Sequence, residues 1–275
     1  MSAERIIFGA AALPEPDRSW LAAVEKLPVE SIWQGGHVLP PTTTGEVITR
    51  LSFITAWTER VRVGTSILLL PLYQPVIVAK QLADIDSRSG GRLSVGVGVG
   101  GEFRKEFEAV GVPAGERGAR TDEAMDVLRA LWKEGPVSHH GKFFNFDEVD
   151  LHPVQSPGEE AHGMQPGGPP LLVSGRKAAA MRRATRRGDG WMPYLMSPNA
   201  YARSVQTIRD EAAAAGRDLT GFEWMMYCYC SIRRDSQQAK DDVARFFGAS
   251  AYGDKPQTML DRIAPAGTPE EVAGR

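Results

Sequence analysis

Apolar residues recur along this chain in two rhythms, short β-rich runs and longer stretches of helical period, and their alternation predicts parallel strands joined by crossover helices. The first run, Arg5 to Ala11, is followed by a helical stretch from Ser19 to Lys26 and a short strand from Glu30 to Trp33. Between Thr44 and Glu59, Val47, Leu51 and Ile54 fall on one helical face, a stripe able to lie on a sheet. Val61 to Leu70 is almost continuously apolar and stops at Pro71, which suits a strand buried on both faces. The next helix carries Val78, Leu82 and Ile85 and ends at Gly90-Gly91, a pair suited to left-handed backbone.

Strand four, Arg92 to Val99, carries the most informative pattern. Leu93, Val95, Val97 and Val99 alternate with Ser94, Gly96, Gly98 and Gly100, so one face is almost bare. Glycine weakens a strand interior, and a bare face admits the close approach of a ligand or another backbone. A helix from Thr121 then places Met125, Leu128 and Leu131 inward. Residues 136–170, rich in Gly, Pro, His and aromatics, read as an insertion over a barrel mouth. Alternation resumes with a strand from Pro170 to Ser174 and a helix from Lys177 to Arg187. A strand from Trp191 to Pro193, a helix from Asn199 to Ala215, a strand from Phe222 to Ile232 and a helix from Gln237 to Phe247 complete it.

Seven strand–helix pairs favour an α/β fold of the TIM-type (β/α)8 barrel kind, one domain over residues 1–275. An open doubly wound sheet is disfavoured, because Gly9-Ala10-Ala11-Ala12 lacks that fold's phosphate-binding glycine spacing. Thr268-Pro269-Glu270-Glu271 reads as a helix start, with a cap, an early proline and acids at the positive end. No eighth strand is visible before Arg275, so either the chain is truncated relative to its relatives or strands one and seven are exposed edges that something else must cover.

Composition narrows the function. Lys plus Arg (32) nearly balances Asp plus Glu (34), leaving no positive field for nucleic acid or an anionic membrane, so a small-molecule partner is expected. The N-terminal apolar run is too short for a signal peptide and no stretch approaches a membrane span, so a cytoplasmic location is expected. Cys228 and Cys230 point to one face of a strand and read as reduced core thiols. Adjacent His139 and His140 cannot easily share an ion, and no metal site is expected. Arg182, Arg183, Arg186 and Arg187 read as the solvated face of their helix.

Catalytic groups of a barrel belong at the C-terminal ends of its strands. There the sequence places Gln34-Gly35-Gly36-His37, whose histidine can donate or accept a proton. Thr65-Ser66-Ile67 reads by composition as plain core. Gly98-Val99-Gly100-Gly101-Glu102 offers backbone amides and a carboxylate. Ser174-Gly175-Arg176 opens a helix able to hold a phosphate on free amides, close in sequence to Gly188-Asp189-Gly190-Trp191.

The chain resembles the luciferase-like monooxygenase superfamily, particularly its deazaflavin-dependent branch, over roughly residues 5 to 272. The resemblance rests on five segments in order: Ser31-Ile-Trp-Gln-Gly-Gly-His37, Val61 to Ile67, Gly91 to Gly100, Glu116 to Glu123, and Gly188-Asp-Gly-Trp191. It implies a barrel whose C-terminal mouth holds an isoalloxazine-type ring against a bulge with a non-prolyl cis peptide at Ser66-Ile67. It also implies Gly100 and Gly101 along the cofactor, with Ser174, Gly175, Arg176 and Gly190 near its phosphate. His37 matches the family's active-site histidine and Glu102 a carboxylate used near the reacting carbon. Gly36 departs from the pattern, standing where the deazaflavin branch often has an acid. The implied activity is hydride transfer between the deazaflavin coenzyme F420 and a small organic substrate, in a homodimer. FMN-dependent monooxygenation stays open as an alternative, as does a non-catalytic partner or binding subunit lacking the eighth strand.

Overall fold

Strands and helices alternate along the chain as the apolar rhythm predicts. The computed structural model describes residues 6–13, 16–39, 45–133, 135–151, 164–250 and 253–274, and it divides into two compact units at Leu172 and Val173.

In the first unit, strands β1 (Gly9–Ala11), β2 (Ser31–Gln34), β3 (Arg62–Leu69) and β4 (Leu93–Gly98) lie side by side in that order, with parallel pairing. Helices α1 (Arg18–Val24), α2 (Val47–Ala56), α3 (Pro75–Arg88), α4 (Arg104–Ala109) and α5 (Arg117–Leu131) follow successive strands. The predicted stripes are the buried ones: Leu51 and Ile54 on α2, Val78, Leu82 and Ile85 on α3, and Met125, Leu128 and Leu131 on α5. Each repeats at three- or four-residue spacing, so one side of each helix leaves water.

Two arginines finish these helices. Arg92 donates to the carbonyls of Thr55, Thr58, Val61 and Ser89, and Arg60 to those of Glu25, Leu27 and Val29. The carbonyls exposed at helix ends thereby gain donors that the helix cannot supply.

The first strand is shorter than its apolar run. Ile6, Ile7 and Phe8 are exposed and precede β1, and the expected residue Arg5 lies outside the described residues. The segment expected over a barrel mouth contains an antiparallel hairpin, β5 (Val137–His140) and β6 (Asn145–Val149), anchored on the helical layer. Glu123 of α5 accepts from the amides of Lys142, Phe143 and Phe144, and Lys80 of α3 donates to the Leu151 carbonyl. Farther on, Gln165 donates from its amide and side chain to buried Asp86. Strand β7 (Leu171–Ser174) starts beside β4, where Val95 donates to the Pro170 carbonyl.

The second unit carries β7 on into β8 (Gly190–Met192) and β9 (Glu223–Trp224), with α6 (Ala178–Arg187) and α7 (Pro198–Ala214) following β7 and β8. Strands β1 to β4 and β7 to β9 are the seven that the sequence predicts. The long strand expected from Phe222 to Ile232 is broken. After β9 only a bridge between Tyr194 and Tyr227 continues the ladder, and β10 (Ser231–Ile232) pairs elsewhere. Pro193 has no N–H to donate, so pairing cannot continue in both directions past Met192. Cys228 and Cys230 sit in this frayed stretch and are free but exposed, not core thiols.

Beyond β10 come α8 (Ser236–Ala249), α9 (Gln257–Ile263), β11 (Ala266–Gly267) and α10 (Pro269–Ala273). Ala266-Gly267, too short to register as a strand in the sequence, pairs in parallel with β10. Thr268 and Glu271 form the capping box that opens α10. Leu195, Val243, Phe247, Leu260 and Ile263 make a core here, with Tyr229 against it. Arg183 on α6 is buried, unlike Arg182 and Arg186, which keep the exposure expected of that face. No helix among the described residues is long and apolar enough to cross a membrane.

Candidate active site

Just past β2 and within β3 the backbone takes unusual routes. The Ser66-Ile67 peptide is cis without a proline, and the β3–β4 register shifts between Thr65 and Leu68, where the resemblance places a bulge. A Cβ on Gly35 would come 2.8 Å from the Ser66 carbonyl oxygen, so glycine is what lets the chain leaving β2 pass over that group. The Ser66 hydroxyl and the carbonyl oxygen of the Gln34 side chain are buried with no hydrogen-bond partner. Buried polar atoms are seldom left so.

The glycine face of β4 is covered by the protein itself at Gly98. A Cβ there would lie 1.9 Å from Cδ1 of Ile67, and all six residues of β4 are buried. Gly98 thus makes room for a neighbouring side chain, where the sequence pattern suggested a ligand or another backbone. Just past the strand, Gly100 and Gly101 have φ of 60° and 129°, conformations that glycine adopts readily. Gly101 lies against the Arg117 guanidinium, whose Nε is buried without a partner while Nη1 donates to the Ala114 carbonyl.

His37 follows β2. Its Nδ1 lies 3.0 Å from Oε2 of Glu106, and Oε1 of the same carboxylate accepts from the amides of Val38 at 2.6 Å and Leu39 at 3.0 Å. Glu106 has no solvent exposure, while the His37 side chain keeps 31% of its own. Phe103 meets the imidazole edge-on at 4.7 Å between centroids. A buried carboxylate holding one ring nitrogen leaves Nε2 as the nitrogen available for proton transfer.

Nearby groups reinforce the negative character. The Tyr73 hydroxyl donates to Glu46, the N-cap of α2, at 2.8 Å. Burial, then the charges of Glu46 and Glu106, push the Tyr73 phenol far above its ordinary range, so it remains a donor.

Glu102, which the resemblance places near the reacting carbon, is exposed, and the carboxylate that reaches His37 is that of Glu106. A signal for Glu106 was present in the sequence. Phe103, Glu106 and Phe107 share one helical face, which places an acid between two aromatics on the side that becomes buried.

In the second unit, Ser174 and Gly190 are buried in strands β7 and β8. Gly175 has φ of 126° and accepts from the Trp191 indole through its carbonyl at 2.9 Å. Arg176 donates to the Leu195 carbonyl at 3.1 Å and lies over the Tyr194 ring, 5.2 Å from its centroid. No side chain caps the start of α6, which follows directly. His139 and His140 have separate partners, Glu123 and Asp147.

A parallel strand–helix alternation with polar groups at the strand ends is shared by many classes of enzyme, and similarity to known proteins identifies the family. The family model of luciferase-like monooxygenases matches residues 9–275, and the chain belongs to that family. An FMNH(2)-dependent dimethylsulfone monooxygenase of Pseudomonas putida is 34% identical over 174 residues, covering 62% of this chain and 45% of that protein. The chain spans about half the length of the curated relatives it matches first. A crystal structure of a monooxygenase from Streptomyces bottropensis aligns with a TM-score of 0.78 and 26% identity, over 98% of this chain and 87% of that one. An F420-dependent secondary alcohol dehydrogenase, solved with an F420-acetone adduct, shares the fold with a TM-score of 0.80 and 22% identity, over 97% and 87%. Flavin and deazaflavin enzymes thus both stand among the similar proteins.

Proposed function

We propose that this chain transfers a hydride between the deazaflavin coenzyme F420 and a small organic substrate, with His37 as the acid–base group. The observation carrying this reading is the contact of His37 with fully buried Glu106. Bound there, such a coenzyme would supply the hydride chemistry that interconverts a carbinol and a carbonyl. His37 correspondingly takes up or supplies the hydroxyl proton through Nε2, and Glu106 fixes the ring while it does so. The orphaned Ser66 hydroxyl and Gln34 oxygen suit the polar edge of a flat ring beside Ile67. Gly100 and Gly101 leave the backbone there free of side chains. The uncapped start of α6, with Ser174, Gly175, Gly190 and Arg176, suits a phosphate.

FMN-dependent monooxygenation is the second reading, favoured by the 34% identity to the dimethylsulfone enzyme. Titration with oxidised F420 and with FMN, followed by fluorescence, separates the two. F420 should bind the more tightly and support oxidation of small secondary alcohols, with His37→Ala retaining binding and losing turnover by about 10²- to 10⁴-fold. Tight FMN binding with no response to F420 transfers the assignment to the monooxygenase reading.

A further inference from the structure

The second unit contains a cavity of about 550 Å³ whose wall is formed largely by Met196, Tyr201, Met226, Cys228 and Ile263. That volume falls within the range of small-molecule sites, and methionines adapt to ligands of different outline. The Tyr201 ring is stacked on Trp191 at 5.3 Å between centroids, which fixes one flat side of the wall. A second cavity, about 520 Å³, shares Met196, Arg262 and Ile263 with the first and adds Arg176, Ser197 and Thr258.

The residues shared by the two cavities carry one charged group, Arg262. Arg176 donates to a carbonyl and lies over a ring, and neither it nor Arg262 forms an ion pair with a carboxylate among the described residues. Asp261 also borders the first cavity, but its carboxylate is held by the Gln257 amide at 2.8 Å. A guanidinium with no ion-pair partner among the described residues, beside an apolar chamber, matches a ligand with an apolar body and an anionic end.

We propose that the first cavity is a binding site for a small amphipathic organic anion, its apolar body against Met226 and Tyr201 and its carboxylate or sulfonate on Arg262. Arg176, assigned above to the coenzyme phosphate, borders only the second cavity and lies outside this site, which is tested without turnover.

Two fluorescent probes of similar body serve, anionic anilinonaphthalene sulfonate and neutral phenylnaphthylamine. The sulfonate should bind the folded protein one-to-one. Arg262→Gln should weaken it by about tenfold, the value of one charge-assisted contact, and leave the neutral probe unchanged. Met226→Trp, which fills the chamber, should weaken both, with circular dichroism showing that the variant is folded. In the unaltered protein the Cys228 thiol provides an independent readout. Burial, and then the neighbouring Cys230, push that thiol upward, so alkylation by N-ethylmaleimide is followed in mildly alkaline buffer. The sulfonate should protect Cys228 and not Cys230. Equal alkylation of Cys228 with and without probe, or binding indifferent to Arg262, overturns the proposal. Displacement of the probe by F420 or FMN also overturns it, because the cavity then belongs to the coenzyme.

Discussion

The imidazole of His37 and the carboxylate of Glu106 meet at 3.0 Å, although 69 positions separate them in the chain. Glu106 does more than hold a ring, since its other oxygen collects the amides of Val38 and Leu39 and so fixes the course of the segment carrying the histidine. Glu106→Ala should therefore destabilise the fold by about 2–4 kcal/mol, because two backbone donors and the imidazole lose their acceptor in a buried place. Urea unfolding measures this. A loss below about 0.5 kcal/mol would show that these donors find water instead.

Gly64 on β3 lies under the Trp33 indole, where an added Cβ would come 2.4 Å from Cζ3 and 3.0 Å from the Ser94 carbonyl. Trp33 is buried and its Nε1 donates to Ser31, so the ring cannot simply swing aside. Gly64→Ala is expected to cost about 1–3 kcal/mol through overpacking. Tryptophan fluorescence during urea unfolding reports both the loss of stability and any displacement of the ring.

Arg217 donates to the carbonyls of Ala184, Thr185 and Gly188 at the end of α6, and burial lowers its pKa from the ordinary arginine value. Arg217→Lys keeps the charge and loses the fork that reaches three acceptors. A fall of about 1–3 kcal/mol is expected, with hydrogen exchange quickening first in residues 184–190.

Glu123 ties the β5–β6 hairpin to α5. Burial works to raise its carboxyl pKa, but the amides of Phe143 and Phe144 and then His139 outweigh it, and the net shift is downward from 4.5. A depressed carboxylate pKa contributes stability that is present above the unfolded value and is lost as pH falls through the folded one. The hairpin should accordingly stay docked at neutral pH and loosen as the solution is acidified below about pH 4.5. Hydrogen exchange at residues 142–144 against pH tests this, with Glu123→Gln expected to show faster exchange already at neutral pH.

Much of the framework was legible because it depends on local rules. The stripe Val78, Leu82 and Ile85 can bury only one side of a helix, and Thr268-Pro269-Glu270-Glu271 can hardly do other than start one. The five segments that carry the family resemblance likewise lie close in sequence, and the family match follows them. The broken strand after Trp224 was less legible, because its cause lies in Pro193 on the neighbouring strand. Cys228 and Cys230 share a face in any extended chain, but whether that face is buried depends on a partner strand the local pattern cannot supply.

The sequence by itself determined the alternation of strands and helices, the family, and the presence of His37 at the end of a strand, since periodicity and short-range motifs are properties of neighbouring residues. Tertiary structure alone decided that Glu106 meets that histidine, and that Ile67 covers Gly98. A carboxylate's partner and a glycine's neighbour are set by segments brought together from distant parts of the chain. Those approaches depend on how strands and helices pack, which no local pattern encodes.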